Sequence, residues 1–292
     1  MIKKRLLKIA KLLLVSILSV PLLYGVWLLA RMLVFDYFTI PTESMYPTLK
    51  PGDKVVVNKL KMGARIYTDL HFNPEGQELK AFRMKGFSGV RHNDIVVFNE
   101  ANHWGRLFFR INNVFCKRCI ALPGDSISAV EGHYHNNNYD GVLGLEEEQA
   151  RLGNTPDSLL QGFWIPPYCN GWNIKNFGPV YVPRKDDVVK VNALEAALYE
   201  VMLEWELGKD VTWDWGKNEA YANGRRLRQH RFRHNYYYMA GDNVMNSCDS
   251  RYWGAVPEEY IVGVVQMISY AKDKETDTIK WERVLKLKLT TQ

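Results

Sequence analysis

Leu12 to Ala30 is a run of 19 residues without a charge. Coiled as a helix at about 1.5 Å per residue it reaches roughly 28 Å, close to the ~30 Å hydrocarbon core of a bilayer. Pro21 and Gly25 lie inside the run, and membrane helices tolerate both. Arg31 closes it, and Trp27, Phe35, Tyr37 and Phe38 suit the far interface. Lys3, Lys4, Arg5, Lys8 and Lys11 precede it, and no acidic residue appears before Asp36. This bias predicts a single span over residues 12–34, a basic cytoplasmic tip over 1–11, and the rest of the chain on the opposite side. Cleaved secretory leaders have shorter apolar cores, about 7–15 residues, that end in small residues. Leu28-Leu29-Ala30 has no such ending, so the run reads as a retained anchor.

The formal charge of +6 then loses its obvious meaning, because five of those charges sit in the tip. The remainder is close to neutral, which argues against a nucleic-acid partner. Four cysteines, Cys116, Cys119, Cys169 and Cys248, are too few for a disulfide scaffold. Cys116-Lys117-Arg118-Cys119 imitates a redox CxxC motif but sits in a strand-like segment. There the two Cα atoms would be about 10 Å apart, beyond bridging distance. Whether Cys169 and Cys248 pair is left open by the sequence.

After the anchor the apolar residues fall into short β-like runs between turn residues: Lys54–Asn58, Asp94–Asn99, Asn113–Ala121, Val180–Val182, Val188–Val191 and Ile261–Tyr270. Only Asn192–Gly208, with Leu194, Ala197, Leu198, Val201 and Trp205, has helical spacing. The pattern predicts a mainly β domain whose two core segments, 35–125 and 236–272, flank an inserted subdomain over 126–235, with a C-terminal segment over 273–292. His133–Gly144 and Gly153–Asn173 read as loops within the insert. The seven histidines are scattered, and His133, His135, His230 and His234 read as solvated loop side chains without metal-ligand spacing.

Three segments carry chemistry. Ile40–Asp53 holds Pro41, Pro47 and Pro51 around Thr42, Ser44 and Thr48, an irregular loop suited to presenting a hydroxyl near the bilayer surface. A serine needs a base, and no histidine neighbourhood offers one. A lysine serves if burial leaves it neutral. In Val114–Ala121, alternation puts Phe115, Lys117, Cys119 and Ala121 on one face and Val114, Cys116, Arg118 and Ile120 on the other. Of the two cations only Lys117 could act as a base, since arginine stays protonated. Gly241–Gly254 packs turn formers, Ser247, Ser250, Asp249 and Arg251 between aromatics. An Asp and an Arg two residues apart can brace such a loop.

Together these segments resemble the bacterial type I signal peptidases, the membrane-bound Ser/Lys leader peptidases. Ile40–Asp53 is similar to their serine box, Asn93–Phe98 to their Gly-Asp-hydrophobic strand, Phe115–Asp125 to their lysine box, and Gly241–Gly254 to their Gly-Asp-Asn…Ser-x-Asp-Ser-Arg-x-Trp-Gly box. The resemblance implies a coiled antiparallel β-sheet catalytic domain. It implies Ser44 as nucleophile, Lys117 as base, and the Ser44 amide with the Thr42 hydroxyl as oxyanion hole. It implies Ser247 as the group orienting the lysine, with Asp249 and Arg251 as supporting pair. Ile40, Met45, Leu49, Phe115 and Cys116 match positions lining shallow pockets for small residues. The expected activity is removal of signal peptides from exported preproteins after small-x-small (Ala-x-Ala) sites, without cofactor or metal. The expected setting is the inner (cytoplasmic) membrane as a single-pass protein with a periplasmic catalytic domain, in contact with lipid and close to the secretion translocon. The chain departs from the family pattern at Glu43, where a small residue is common, at Asn93, where Gly is usual, at Val244 and Met245, which replace polar residues, and at Cys116 and Cys248, which are uncommon choices. A penicillin-binding-type acyl enzyme would need Lys three residues after the serine, and that position is Pro47.

Overall fold

A computed structural model describes residues 2–68, 81–100, 106–107, 109–160, 171–273 and 276–287. The first element, α1 (Ile2–Leu33), is one continuous helix. Its stretch Lys11–Leu33 is long and apolar enough to cross a bilayer, with a mean hydropathy of 2.3 and no burial against the rest of the chain. The basic tip is therefore helical too, an extension of the span rather than a separate segment.

The chain leaves α1 directly into a strand. The strands, in chain order, are β1 (Phe35–Thr39), β2 (Asp53–Asn58), β3 (Arg65–Tyr67), β4 (Ala81–Arg83), β5 (Ile95–Glu100), β6 (Arg110–Ala121), β7 (Ser126–Val130), β8 (His133–Asn136) and β9 (Phe177–Tyr181). They continue with β10 (Val188–Lys190), β11 (Val211–Asp214), β12 (Glu219–Ala222), β13 (Arg225–Leu227), β14 (Gln229–Arg231), β15 (Tyr236–Ala240), β16 (Val256–Pro257), β17 (Ile261–Ala271) and β18 (Lys286–Leu287). Among the described residues the further α-helices are α2 (Glu146–Gly153), α3 (Ala193–Leu207) and α4 (Ser250–Trp253).

The largest sheet is antiparallel, in the order β1-β2-β17-β5-β6-β15-β16, with β18 added to β17. Its register shifts in β5, β15 and β17, and such bulges bend and coil a sheet. At Gly263, inside a β17 bulge, a Cβ would lie 2.4 Å from the Asn58 carbonyl oxygen, so only glycine lets β2 and β17 close there. One face buries Ile95, Val97, Val55, Val57 and Ile268 with the loop residues Ile40, Met45 and Leu49. A second cluster gathers Val96, Phe98, Cys119, Met239 and Val264. The molecule is thus mainly β, as the alternating runs imply.

Phe35, Tyr37 and Phe38 belong to β1, directly after the span. The junction is tied down by Arg31, which reaches Asp36 at 2.5 Å, and by Lys59, which donates to Asp36 at 3.0 Å and to the Arg31 carbonyl at 2.8 Å.

Within 126–235, α3 begins where Asn192 accepts from the Leu194 and Glu195 amides while Glu195 accepts from the Asn192 amide, a reciprocal cap. It ends on Gly208 at φ 63°, the left-handed conformation glycine adopts freely. The short, charged α2 escaped periodicity, and β8 occupies part of the expected loop His133–Gly144. His230 is not a solvated loop residue: it is buried and bonds Glu206 at 2.7 Å. Glu206 also accepts from the Tyr236 hydroxyl and the Arg233 amide. That contact joins the end of α3 to the start of β15. Cys169 lies outside the described residues, while Cys116, Cys119 and Cys248 are free thiols.

Candidate active site

The serine loop is fastened at both ends before it reaches Ser44. The Ile40 amide donates to the Asp53 carbonyl at 2.8 Å, and the Gly52 amide returns a bond to the Ile40 carbonyl at 3.0 Å. Asp53 caps the turn by accepting from the Lys50 amide at 2.8 Å. Ile40, Met45 and Leu49 are buried and anchor the loop to the sheet. Burying such apolar side chains stabilises the loop by about 1.5–3 kcal/mol each. The proline-rich sequence thereby becomes a rigid platform on which Ser44 stays partly accessible.

Lys117 comes from β6, opposite Val96 of β5. On its other side β6 loses its partner: pairing with β15 ends at Arg118 opposite Ala240. The chain then turns away through Gly241, and the serine loop closes over the gap. The Asn243 amide donates to the Ser44 carbonyl at 3.1 Å. The approach depends on Gly241, where a Cβ would stand 2.2 Å from Ser247 Oγ and 2.4 Å from the Ser44 carbonyl oxygen.

In that closed corner Lys117 Nζ donates to Ser44 Oγ at 2.5 Å, although the two residues are 73 apart in sequence. Lys117 is only 3% exposed. Burial, the dominant cause, holds its ammonium below the ordinary lysine pKa; Asp249 pulls the other way and Arg251 adds repulsion. A hydroxyl and an amine poised to be neutral, in hydrogen-bond contact, can exchange a proton.

Behind the lysine, Asp249 is completely buried. It accepts from the Ser247 hydroxyl at 2.7 Å, the Gly241 amide at 2.9 Å, and both Arg251 Nε and Nη2 at 2.7 Å. Burial works to raise its pKa, but the Arg251 guanidinium and these donors keep the carboxyl below its ordinary value. Ser247 turns its proton to Asp249 and not to Lys117; the one hydrogen bond of the Lys117 amine among the described residues is to Ser44. The Ser44 amide and the exposed Thr42 hydroxyl donate to no described group.

The expected pocket residues divide. Ile40, Met45, Leu49 and Cys116 share one apolar cluster beside Ser44. Phe115 packs instead in the other cluster, 6.1 Å from the Phe98 ring.

Two residues that sequence reading did not assign a role prove central. Arg118 is fully buried and bonds Asp242 through Nε and Nη2, both at 2.6 Å. It also donates to the Asn93 carbonyl at 2.9 Å and to Thr48 Oγ1 at 3.4 Å. This pair ties the serine loop, the lysine strand and the turn after Gly241 into one unit. Asn93 has φ 66°, which explains how it replaces glycine, since asparagine tolerates the left-handed region.

With this geometry in place, comparison with known proteins is informative. The chain matches the family described as signal peptidase, peptidase S26, over residues 9–157 and 178–270. The chain belongs to that family. Its members are serine endopeptidases, and so is this chain. It is 28% identical over 265 residues to a signal peptidase I of Buchnera aphidicola subsp. Baizongia pistaciae, covering 85% of this chain and 73% of the relative. It is 26% identical over 254 residues to signal peptidase I of Pseudomonas aeruginosa, covering 83% of this chain and 67% of that protein. With signal peptidase I of Helicobacter pylori it shares 24% identity over 282 residues, 89% of this chain and 87% of the relative. As a signal peptidase it acts on preproteins that carry signal peptides.

Proposed function

We propose that this peptidase cleaves exported preproteins after small-x-small (Ala-x-Ala) sites with a Ser44/Lys117 dyad. The observation that carries this reading is the 2.5 Å contact between Lys117 Nζ and Ser44 Oγ at a buried lysine. Neutral Lys117 takes the Ser44 proton as Oγ attacks the scissile carbonyl. The oxyanion forms between the Ser44 amide and the Thr42 hydroxyl, each donor worth about 3–4 kcal/mol. The Lys117 ammonium then protonates the departing amine of the mature chain. Lys117, neutral again, activates the water that hydrolyses the acyl-Ser44 ester. Asp249, paired with Arg251, takes the Ser247 proton and so leaves the Ser247 lone pairs as the acceptor the lysine amine would turn to once Ser44 is acylated. Ile40, Met45 and Leu49, themselves buried, and half-buried Cys116 form the apolar backing beside Ser44 over which small side chains would fit, while Phe115 packs in the other cluster and does not join it.

The same reading assigns 35–125 and 236–272 to the catalytic core, 126–235 to an insert, 1–11 to the cytoplasmic tip, 12–34 to the span and 273–292 to a C-terminal segment. It places the core on the periplasmic face of the inner membrane, against lipid and close to the translocon. The charge bias of α1 supports that orientation. The test is cleavage of a preprotein bearing an Ala-x-Ala site by the full chain in detergent, read by intact mass. Wild type should cut after the second Ala, and Ser44→Ala and Lys117→Met should be folded and inactive. Retained activity in Lys117→Met would remove the dyad; cleavage elsewhere would remove the site specificity.

A further inference from the structure

A cleft of about 620 Å³ opens against Thr42 and Glu43, the two residues before Ser44, without touching Ser44 itself; its other side is formed by Lys272, Asp273, Lys280, Glu282 and Arg283. Thr42 and Glu43 form its near wall, with Tyr46 and Lys50 beyond them. Arg283 bonds the Asp53 carboxylate and donates to the Thr48 carbonyl at 3.0 Å, so the far wall is pinned to the base of the serine loop. Most of its charges are used internally: Arg283 with Asp53, Lys280 with Asp273 at 3.3 Å, and Lys272 with Asp277 at 2.5 Å. Among the described residues, the lining charges left without an ion pair are Glu43, Glu282 and Lys50, and the Lys50 ammonium lies over the Tyr46 ring at 5.3 Å.

Glu43 is held firmly although its side chain is exposed. Its carbonyl accepts from the Tyr46 amide at 2.9 Å and from Asn243 Nδ2 at 3.3 Å. The carboxylate itself makes no bond to a described residue and stands one residue before the nucleophile.

The direction of the cleft decides which part of a substrate meets it. α1 enters the sheet at the Phe35–Asn58 end of the β1–β2 ladder. The cleft lies past the opposite end, beyond Thr39–Lys54 and beside Asp53. At about 3.3 Å per residue, Pro41 is roughly 20 Å along the strand from the anchor. The apolar core of a signal leads back to the bilayer, and the mature chain leads away from it. We infer that this cleft receives the first residues of the mature protein, and that Glu43 sets their charge preference, favouring basic over acidic side chains just after the scissile bond. This rests on the Ser44 reading above and extends it to a specificity determinant.

The test uses the full chain in detergent and three preproteins alike except at the second and third mature positions: Lys-Lys, Ser-Ser or Glu-Glu. The kcat/KM ratio of Lys-Lys to Glu-Glu should be about three- to tenfold, the scale of solvent-exposed ion pairs acting in both senses. Salt near 1 M should compress that ratio. Glu43→Gln should bring it close to one, and Glu43→Asp, which keeps the charge, should preserve it. Moving the same charges to the middle position of Ala-x-Ala should leave no comparable Glu43 dependence. A wild-type ratio of one, a ratio unchanged in Glu43→Gln, or a preference that follows the signal side would each overturn the inference. If wild type cuts none of the three, the peptidase reading fails and this inference with it; cleavage of all three at equal rates refutes this inference alone.

Discussion

Replacing Asp249 with Asn separates two roles of one carboxylate. Both Asp249 oxygens take a guanidinium N–H from Arg251, and neither residue is exposed. The amide of Asn would present N–H to one of those donors and would leave the Arg251 charge buried without a counterion. Breaking a buried pair in this way costs about 3–5 kcal/mol, or roughly 6–15 °C in Tm for a chain of this size. The effect on Lys117 runs in the other direction. Asp249 raises the lysine pKa and Arg251 lowers it, so losing the carboxylate while keeping the guanidinium lowers it further. The rising limb of kcat/KM against pH should therefore move to lower pH in an enzyme that is less stable. Urea unfolding followed by tryptophan fluorescence reads the first effect, and peptide cleavage against pH reads the second. A stability loss under ~1 kcal/mol, or a limb displaced upward, would refute this account of the site.

Other substitutions probe the same corner. Lys117→Met should abolish cleavage yet unfold at higher denaturant, gaining about 1 kcal/mol or more, because a buried amine whose charged form burial penalises is replaced by an apolar chain of similar shape. The sign follows from linkage: with the folded pKa below the unfolded one, wild-type stability rises with pH through the window between them, and Lys117→Met should lack that rise. Gly241→Ala should lower kcat by at least ~100-fold, since its methyl would occupy the space of Ser247 Oγ and the Ser44 carbonyl; near-normal activity would show that the turn shifts freely. Asp242→Asn should cost about 3–5 kcal/mol by stranding fully buried Arg118, measured by the same unfolding assay. Thiol reagents should label Cys248 before Cys116 and Cys119, because burial raises all three thiols, Cys116 to about 12, and Cys248 is the exposed one of the three. Mass mapping reads that order.

Much of this arrangement is legible in the chain itself. The uncharged run gives α1, alternation gives β2, β5, β6 and β17 within a residue or two at most ends, and Asn192 with Gly208 brackets α3. These signals survive because each is local. Ser44, Lys117 and Asp249 draw attention by residue type and setting, but their convergence is not local. It depends on β15 ending at Ala240 and on a turn that only glycine allows. Alternation alone leaves Arg118 as one more cation on a strand, because nothing near it in sequence reveals Asp242 as its partner across 124 residues. Charge and brevity hide α2, whose Glu146-Glu147-Glu148 opening carries no apolar period. His230 shows the same limit, since its partner Glu206 lies 24 residues away on another element.

The claim at the centre of this account is that a buried, neutral lysine activates Ser44, and the pH dependence of kcat/KM for an Ala-x-Ala substrate tests it most directly. Burial predicts a single ascending limb with an apparent pKa clearly below the ~10.4 of a free lysine, and no measurable rate at any pH in Lys117→Met. A limb at or above ~10.4, or a pH-dependent rate that persists without Lys117, would contradict it.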